Sequence, residues 1–336
     1  MREIIEKLNF AEHVENIWWS YDDKEFSIRE TPEQTYYERS NVVSRNVGSL
    51  YEECLNNAKA IRNTVSGRIA VLYSGGIDSE IVVQSFYESK IPIDIYIIRF
   101  NNNLNLHDIE WATKFCDERS LKYKFLDLNI NKWLDGGVEE YALPVKCQSP
   151  QIPINYWAVD QIDDYVVSGD GDLCLYRYAE DCLESYGEKW GLTRWMLYTA
   201  HPGCPKFYRF TSECEAAYML DPTTEDFVNV ASHLMRPAEI RFFKPYIFQK
   251  FFKTRYREKF TGFEFLKEEC KRQRKNLQTI IGNSDYYISA DYKLLKDLKT
   301  KNHFDWDSIP VIDYRNSDIC DDNSKHMMYK YEETIY

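Results

Sequence analysis

Between residues 50 and 168 the apolar positions switch repeatedly between two periods. Leu50, Cys54, Ala58 and Ile61 recur at helical spacing and predict a helix over 50–62, which Ser66-Gly67 closes. Ile69 to Tyr73 is a continuous apolar run, the mark of a buried parallel strand. Ile77, Ile81, Val82 and Phe86 then place a helix over 77–89. IDIYIIRF (93–100) reads as a second strand. Ile109, Trp111, Ala112 and Phe115 carry a helix over 106–119, and residues 122–128 form a third strand. A helix over 152–162 leads to a brief strand, Tyr165 to Val167, that ends at Ser168. This alternation predicts an α/β fold with a doubly wound parallel sheet.

The flanks read differently. Residues 1–48 mix aromatic and charged residues, as in NIWWSYDDKEF, and suggest an N-terminal extension with strand or hairpin content. From about residue 175 the alternation fades, and KWGLTRWMLYTA and SECEAAYML show helical spacings. The expected organisation is an extension (1–48), an α/β nucleotide-binding domain (49–180) and a mainly helical C-terminal portion (181–336) that completes the site. Residues 251–275 hold nine basic and four acidic residues, which read as a solvated helix face or as a phosphate clamp.

Charge and cysteine usage narrow the partners. A net charge of −12 disfavours a general nucleic-acid binder, although it leaves room for a local basic groove. The nine cysteines are dispersed without a C-x-x-C pair, as expected of reduced, mostly buried thiols rather than a zinc site. No apolar run approaches the roughly 20 residues that cross a bilayer. The N-terminal MREIIEKLNFAEHVEN carries acids and lacks an apolar core, so a cytoplasmic protein without membrane association is expected.

The stretch built for chemistry is LYSGGIDSEI, residues 72–81. Its glycines permit positive φ and close approach of a ligand to the main chain. A loop that leaves a buried strand and enters a helix gathers N–H groups into an anion site. Ser74 and Ser79 add hydroxyl donors. Asp78 fits a phosphate site if a Mg²⁺ ion lies between, because that cation takes carboxylate and phosphate oxygens together. The competing reading is a plain strand-to-helix turn with Ser74 as the helix cap. Neither G-x-x-x-x-G-K-[ST] nor G-x-G-x-x-G is present.

S-G-G-I-D-S after an apolar strand resembles the pyrophosphate loop of the N-type ATP pyrophosphatases, the PP-loop superfamily. DYVVSGDGDLCLYR (164–177) resembles a segment of its asparagine synthetase and β-lactam synthetase branch, in which S-G-E-G-A-D-E follows a short strand. Ser168, Gly169 and Gly171 match, Asp170 stands for Glu, and Asp172 falls one residue short of that branch's metal-binding Asp. The likeness spans about residues 48–180. It implies a sheet of the adenine nucleotide alpha-hydrolase type and an ATP-dependent, AMP-forming ligase. Leu72, Ser74, Gly75, Gly76, Asp78 and Ser79 would hold or border the nucleotide, with Ser168 and Gly169 beside them. Arg99 or Phe100 would border the adenine. Asp78, with Asp170 or Asp172, would ligate Mg²⁺, and Lys244, Lys253 or Lys259 would reach the phosphates. Asp108 reads as an exposed or capping acid of its helix.

The departures set further expectations. Residue 2 is Arg rather than a catalytic Cys, and the chain before Ser74 is too short for a glutaminase domain. Ammonia, a separate ammonia-supplying partner or an amine on a small-molecule acceptor would then supply the nitrogen. The alternatives are a nucleoside- or tRNA-modifying enzyme, or a nucleotide-binding interaction protein without turnover.

Overall fold

Every residue of the run Ile69–Leu72 is buried, and it forms the middle strand of a five-stranded parallel sheet. The computed structural model describes residues 17–21, 24–25, 36–40, 43, 45–169, 191–220, 251–252, 254 and 260–281. In the N-terminal part, β1 (Ile17–Tyr21), β2 (Lys24–Glu25) and β3 (Tyr36–Ser40) pair antiparallel in the order β2-β1-β3, the strand content expected there.

The main sheet comprises β4 (Ile69–Leu72), β5 (Asp94–Phe100), β6 (Tyr123–Leu128), β7 (Tyr165–Ser168) and β8 (Gly203–Cys204). Its order is β6-β5-β4-β7-β8. The chain builds outward from β4 to β6, then returns to lay β7 on the other side of β4. The expected doubly wound sheet is therefore present. Its strand order reverses between β4 and β7, where Leu72 pairs with Ser168. Open sheets of this kind bind ligands beyond the carboxyl ends of their strands at that switch point.

Helices cover both faces. They are α1 (Leu50–Thr64), α2 (Ile77–Glu88), α3 (Leu106–Glu118), α4 (Pro153–Asp160), α5 (Gly191–Thr199), α6 (Ser212–Leu220) and α7 (Lys267–Ile281). Side chains alternate along a strand, so Ile69 and Val71 join one core while Ala70 and Leu72 join the other. The first core gathers Leu50 and Ile61 of α1, Val82 of α2, Phe115 of α3 and Cys214 of α6. The second gathers Val159 of α4, Trp195 of α5 and Leu277 of α7. Each fully buried aliphatic side chain contributes about 1.5–3 kcal/mol. The described part of the chain after residue 181 is mainly helical, as expected, and also supplies β8.

The segment between β6 and α4 differs from any regular reading. Residues 130–142 fold as short helical turns, with a wide turn over Trp133–Gly137 in which Gly136 has φ +116. Trp133 donates its indole N–H to the Pro150 carbonyl at 2.9 Å and anchors the turns. All six described cysteines are free and buried, in keeping with the sequence reading. Burial pushes the Cys116 thiol up to about 12, so it stays protonated and inert.

Helix α1 begins with a reciprocal cap, because Ser49 accepts from the Glu52 N–H while the Glu52 carboxylate accepts from the Ser49 N–H. In the same turn, the buried Glu53 carboxylate accepts from the Arg45 guanidinium, the Gly48 N–H at 2.8 Å and Asn56 Nδ2 at 3.2 Å. Burial alone would raise its pKa, and these donors outweigh burial and hold it below the usual glutamate range. A depressed carboxylate stabilises the fold above its unfolded pKa, and that stability is lost as pH falls through the folded value. Glu53→Ala is expected to cost about 2–3 kcal/mol in urea denaturation at neutral pH. The variant should also show a flatter loss of stability than wild type on acidification below the ordinary glutamate range.

Candidate functional site

The glycine loop leaves the carboxyl end of β4 and turns into α2 with Gly75 at φ +81 and Gly76 as the N-cap residue. No side chain caps α2. This corrects the capping role considered for Ser74, whose hydroxyl stays inside the loop. There Ser74 Oγ accepts from the Gly76 N–H at 3.3 Å and lies 3.0 Å from Ser79 Oγ. Ser79 Oγ donates to the Gly76 carbonyl at 3.0 Å and accepts from the Ser74 N–H at 3.2 Å. The two hydroxyls and the Gly76 carbonyl thus form one network that closes the loop on itself.

Three distant segments fix this loop. The Asp108 carbonyl sits so close to Gly75 that a Cβ there would meet its oxygen at 1.9 Å. Gly169 also packs closely, since a Cβ on it would lie 3.1 Å from the Asp78 carbonyl and the Ser79 nitrogen. Tyr208, in the turn Phe207–Arg209 that follows β8, donates its hydroxyl to the Asp78 carbonyl at 2.7 Å. The two stretches singled out in the sequence are thereby neighbours: Leu72 and Ser168 pair across the sheet, and the residues after each touch.

Asp108 is buried in the first turn of α3, not exposed, which corrects the sequence reading. Its carboxylate accepts from the Phe260 N–H at 3.3 Å and lies 3.5 Å from His107 Nδ1. Sequence spacing gave no sign of this, because the contact joins residues far apart in the chain. Tyr208 carries no local signal either. A further unforeseen pair is Tyr73 and Glu80, both buried, joined by a 3.0 Å bond from the phenol to the carboxylate under the loop.

The remaining expected site residues divide between this junction and other places. Leu72 and Ser168 are buried at the ends of their strands. Asp78 lies half-buried in the first turn of α2. Arg99 turns along the sheet instead, with Nε and Nη2 at 2.6 and 3.0 Å from Asp127 and its guanidinium over the Phe125 ring at 4.3 Å. That partner holds the Asp127 carboxyl below its ordinary range. Phe100 is buried against Phe263, ring centres 5.5 Å apart. Asp170, Asp172, Lys244, Lys253 and Lys259 lie outside the described residues.

Among the described residues no group of three or more His, Cys, Asp or Glu could hold a metal ion. No described helix is long and apolar enough to cross a membrane. Lys206, 1% exposed, follows β8 at the carboxyl side of the sheet and is two residues from Tyr208.

No protein-family model matches the chain, and no curated protein matches it. Solved structures that are similar to it include NMN synthetase from Francisella tularensis, at 12% identity over 69% of this chain and 93% of that one, with a TM-score of 0.30. The NH3-dependent NAD synthetase from Campylobacter jejuni, in complex with nitrate, is 16% identical over 62% of this chain and 97% of that one, with a TM-score of 0.32. Likenesses this distant carry no weight for activity; the strand order and the loop contacts define the site.

Proposed function

We propose that the chain is an ATP-dependent, AMP-forming ligase of the PP-loop type, similar to the synthetase part of asparagine synthetase. The observation that carries this reading is the junction of the two motifs: Ser74–Ser79 and Ser168–Gly169 meet at the sheet's switch point, with Gly169 against Asp78 and Ser79. The donor set there suits a phosphate chain, because it consists of main-chain N–H groups at an uncapped helix N-terminus.

In this reading the β- and γ-phosphates rest on the loop of Gly75, Gly76 and the first turn of α2. A substrate carboxylate or amide oxygen attacks the α-phosphorus, and pyrophosphate leaves. Ammonia or an amine then displaces AMP from the adenylated substrate. Mg²⁺, when bound, would offset the charge on the phosphates, and Asp78 is proposed as a carboxylate that would hold it. Lys206 is proposed as the lysine facing the phosphates, from its burial beside the site. The buried thiols, none of them in a disulfide among the described residues, favour action in a reducing compartment, the cytoplasm.

The test is incubation with α-labelled ATP and Mg²⁺ across a panel of carboxylic acids, amino acids and nucleosides, with and without ammonia. AMP and pyrophosphate are expected in equal amounts with the right acceptor. Release of ADP overturns the mechanism, and nucleotide binding without turnover on any acceptor points to the interaction protein.

A further inference from the structure

The overall charge of −12 conceals a local reversal on α7. Cys270, Gln273 and Leu277 face the core, and the rest of the helix from Lys267 to Ile280 is exposed. Lys267, Lys271, Arg274, Lys275 and Gln278 recur at i, i+4, i+7, i+8 and i+11 and therefore share one exposed face. Three of the nearby acids are engaged off this stripe. Asp135 meets Arg272 at 3.8 Å, and Glu139 accepts from Gln273 and Asn276 at 3.2 and 2.7 Å, on the opposite flank of the helix. Glu264 accepts from the Thr261 hydroxyl at 3.1 Å. Glu268 lies at the edge of the stripe, 2.7 Å from Lys271.

At the head of this stripe stands Phe265, 64% exposed and the most exposed large apolar side chain among the described residues. Its ring lies edge-on to Phe260 at 5.1 Å, and Phe260 meets the His107 ring at 6.1 Å. His107 precedes Asp108, whose carbonyl abuts Gly75. Gly262, at φ +86, packs against the Leu104 carbonyl so closely that a Cβ would lie 2.6 Å away, which holds this segment on the turn after β5. A line of aromatic rings thus runs from the glycine loop to a basic helix face.

We propose that the exposed face of α7, with Phe265 at its head, is a docking surface for a single-stranded nucleic acid. Unpaired bases stack on Phe265, and the phosphates lie along Lys267, Lys271, Arg274 and Lys275. Every base offers a π-face to an exposed ring, and paired bases do not, which favours a single strand over a duplex. An acidic peptide would use the cations and leave the ring without a role. The surface is independent of the nucleotide reading, because strand docking requires no ATP.

The test uses the full chain without ATP and follows the fluorescence anisotropy of short labelled RNA and DNA strands across a salt series. Binding is expected to weaken steeply with salt. Combining Lys271→Glu, Arg274→Glu and Lys275→Glu should flatten the log–log salt slope by about 2, from roughly 0.7 per lost phosphate contact. Phe265→Ala should weaken binding about fivefold or more at an unchanged slope. Gln278→Lys, which extends the stripe, should tighten binding, and this arm does not depend on a damaged variant folding. The stronger of the RNA and DNA arms names the strand. Absence of salt-dependent binding, indifference to Phe265→Ala, or equal affinity for a polyglutamate peptide overturns the proposal. ATP binding measured on the same samples separates the two readings, since either can fail while the other holds.

Discussion

Replacing Gly75 by alanine is expected to abolish nucleotide binding and to destabilise the fold by about 2–5 kcal/mol. Two separate costs add. At φ +81 a Cβ is strained by roughly 1–2 kcal/mol, a penalty glycine escapes. The new Cβ would also lie 1.9 Å from the Asp108 carbonyl oxygen. That oxygen belongs to the backbone of α3 and cannot swing aside, so helix and loop must part, at about 1–3 kcal/mol for overpacking. Gly76→Ala supplies the contrast. Its φ is an ordinary −75, and the nearest neighbour of a Cβ there is Ser74 Oγ at 3.3 Å. It should stay within about 1 kcal/mol of wild type while still obstructing a ligand on the loop. Gly67→Ala, with nothing within 4 Å, serves as the surface control. Urea denaturation with calorimetric ATP titration measures both quantities. A Gly75→Ala protein as stable as wild type would show that the loop does not pack against α3.

This contrast also marks what the sequence reveals and what it hides. Period and run length exposed β4 to β7 and their helices to within a residue or two, because each buries a complete face against the sheet. They could not expose β8, whose two residues Gly203–Cys204 are too few to show a period. The loop was legible for the same reason as its strand, since S-G-G-I-D-S is contiguous. Its neighbours were not. Asp108 looks like any first-turn acid until α3 is laid beside β4, and Tyr208 reaches Asp78 across 130 residues. Ser74 and Ser79 read as hydroxyl donors to a ligand, and in the structure both hydroxyls are bonded within the loop. They hold the loop's shape.

Asp78→Ala is expected to lower AMP formation at least about 100-fold while changing stability by less than about 1 kcal/mol. The separation follows from which atoms of residue 78 the fold uses. Tyr208 bonds its main-chain carbonyl at 2.7 Å, and Gly169 packs against the same carbonyl. Alanine keeps both contacts. The lost first-turn acid weakens the helix by about 0.3–1 kcal/mol, partly offset by the better helix propensity of alanine. The carboxylate itself is half-buried at the start of α2, and in the proposed reading it holds the cation. Tyr208→Phe inverts the experiment. It removes a bond to the backbone of residue 78 and keeps the carboxylate, so it should cost about 1 kcal/mol of stability with a smaller loss of rate. Asp78→Asn retains the shape and one oxygen but not the charge, and its rate should lie near that of Asp78→Ala if a cation is the partner. Rates compared at matched folded fractions decide the point. Equal AMP formation by wild type and Asp78→Ala would remove the carboxylate from the mechanism and leave the loop as a binding site alone.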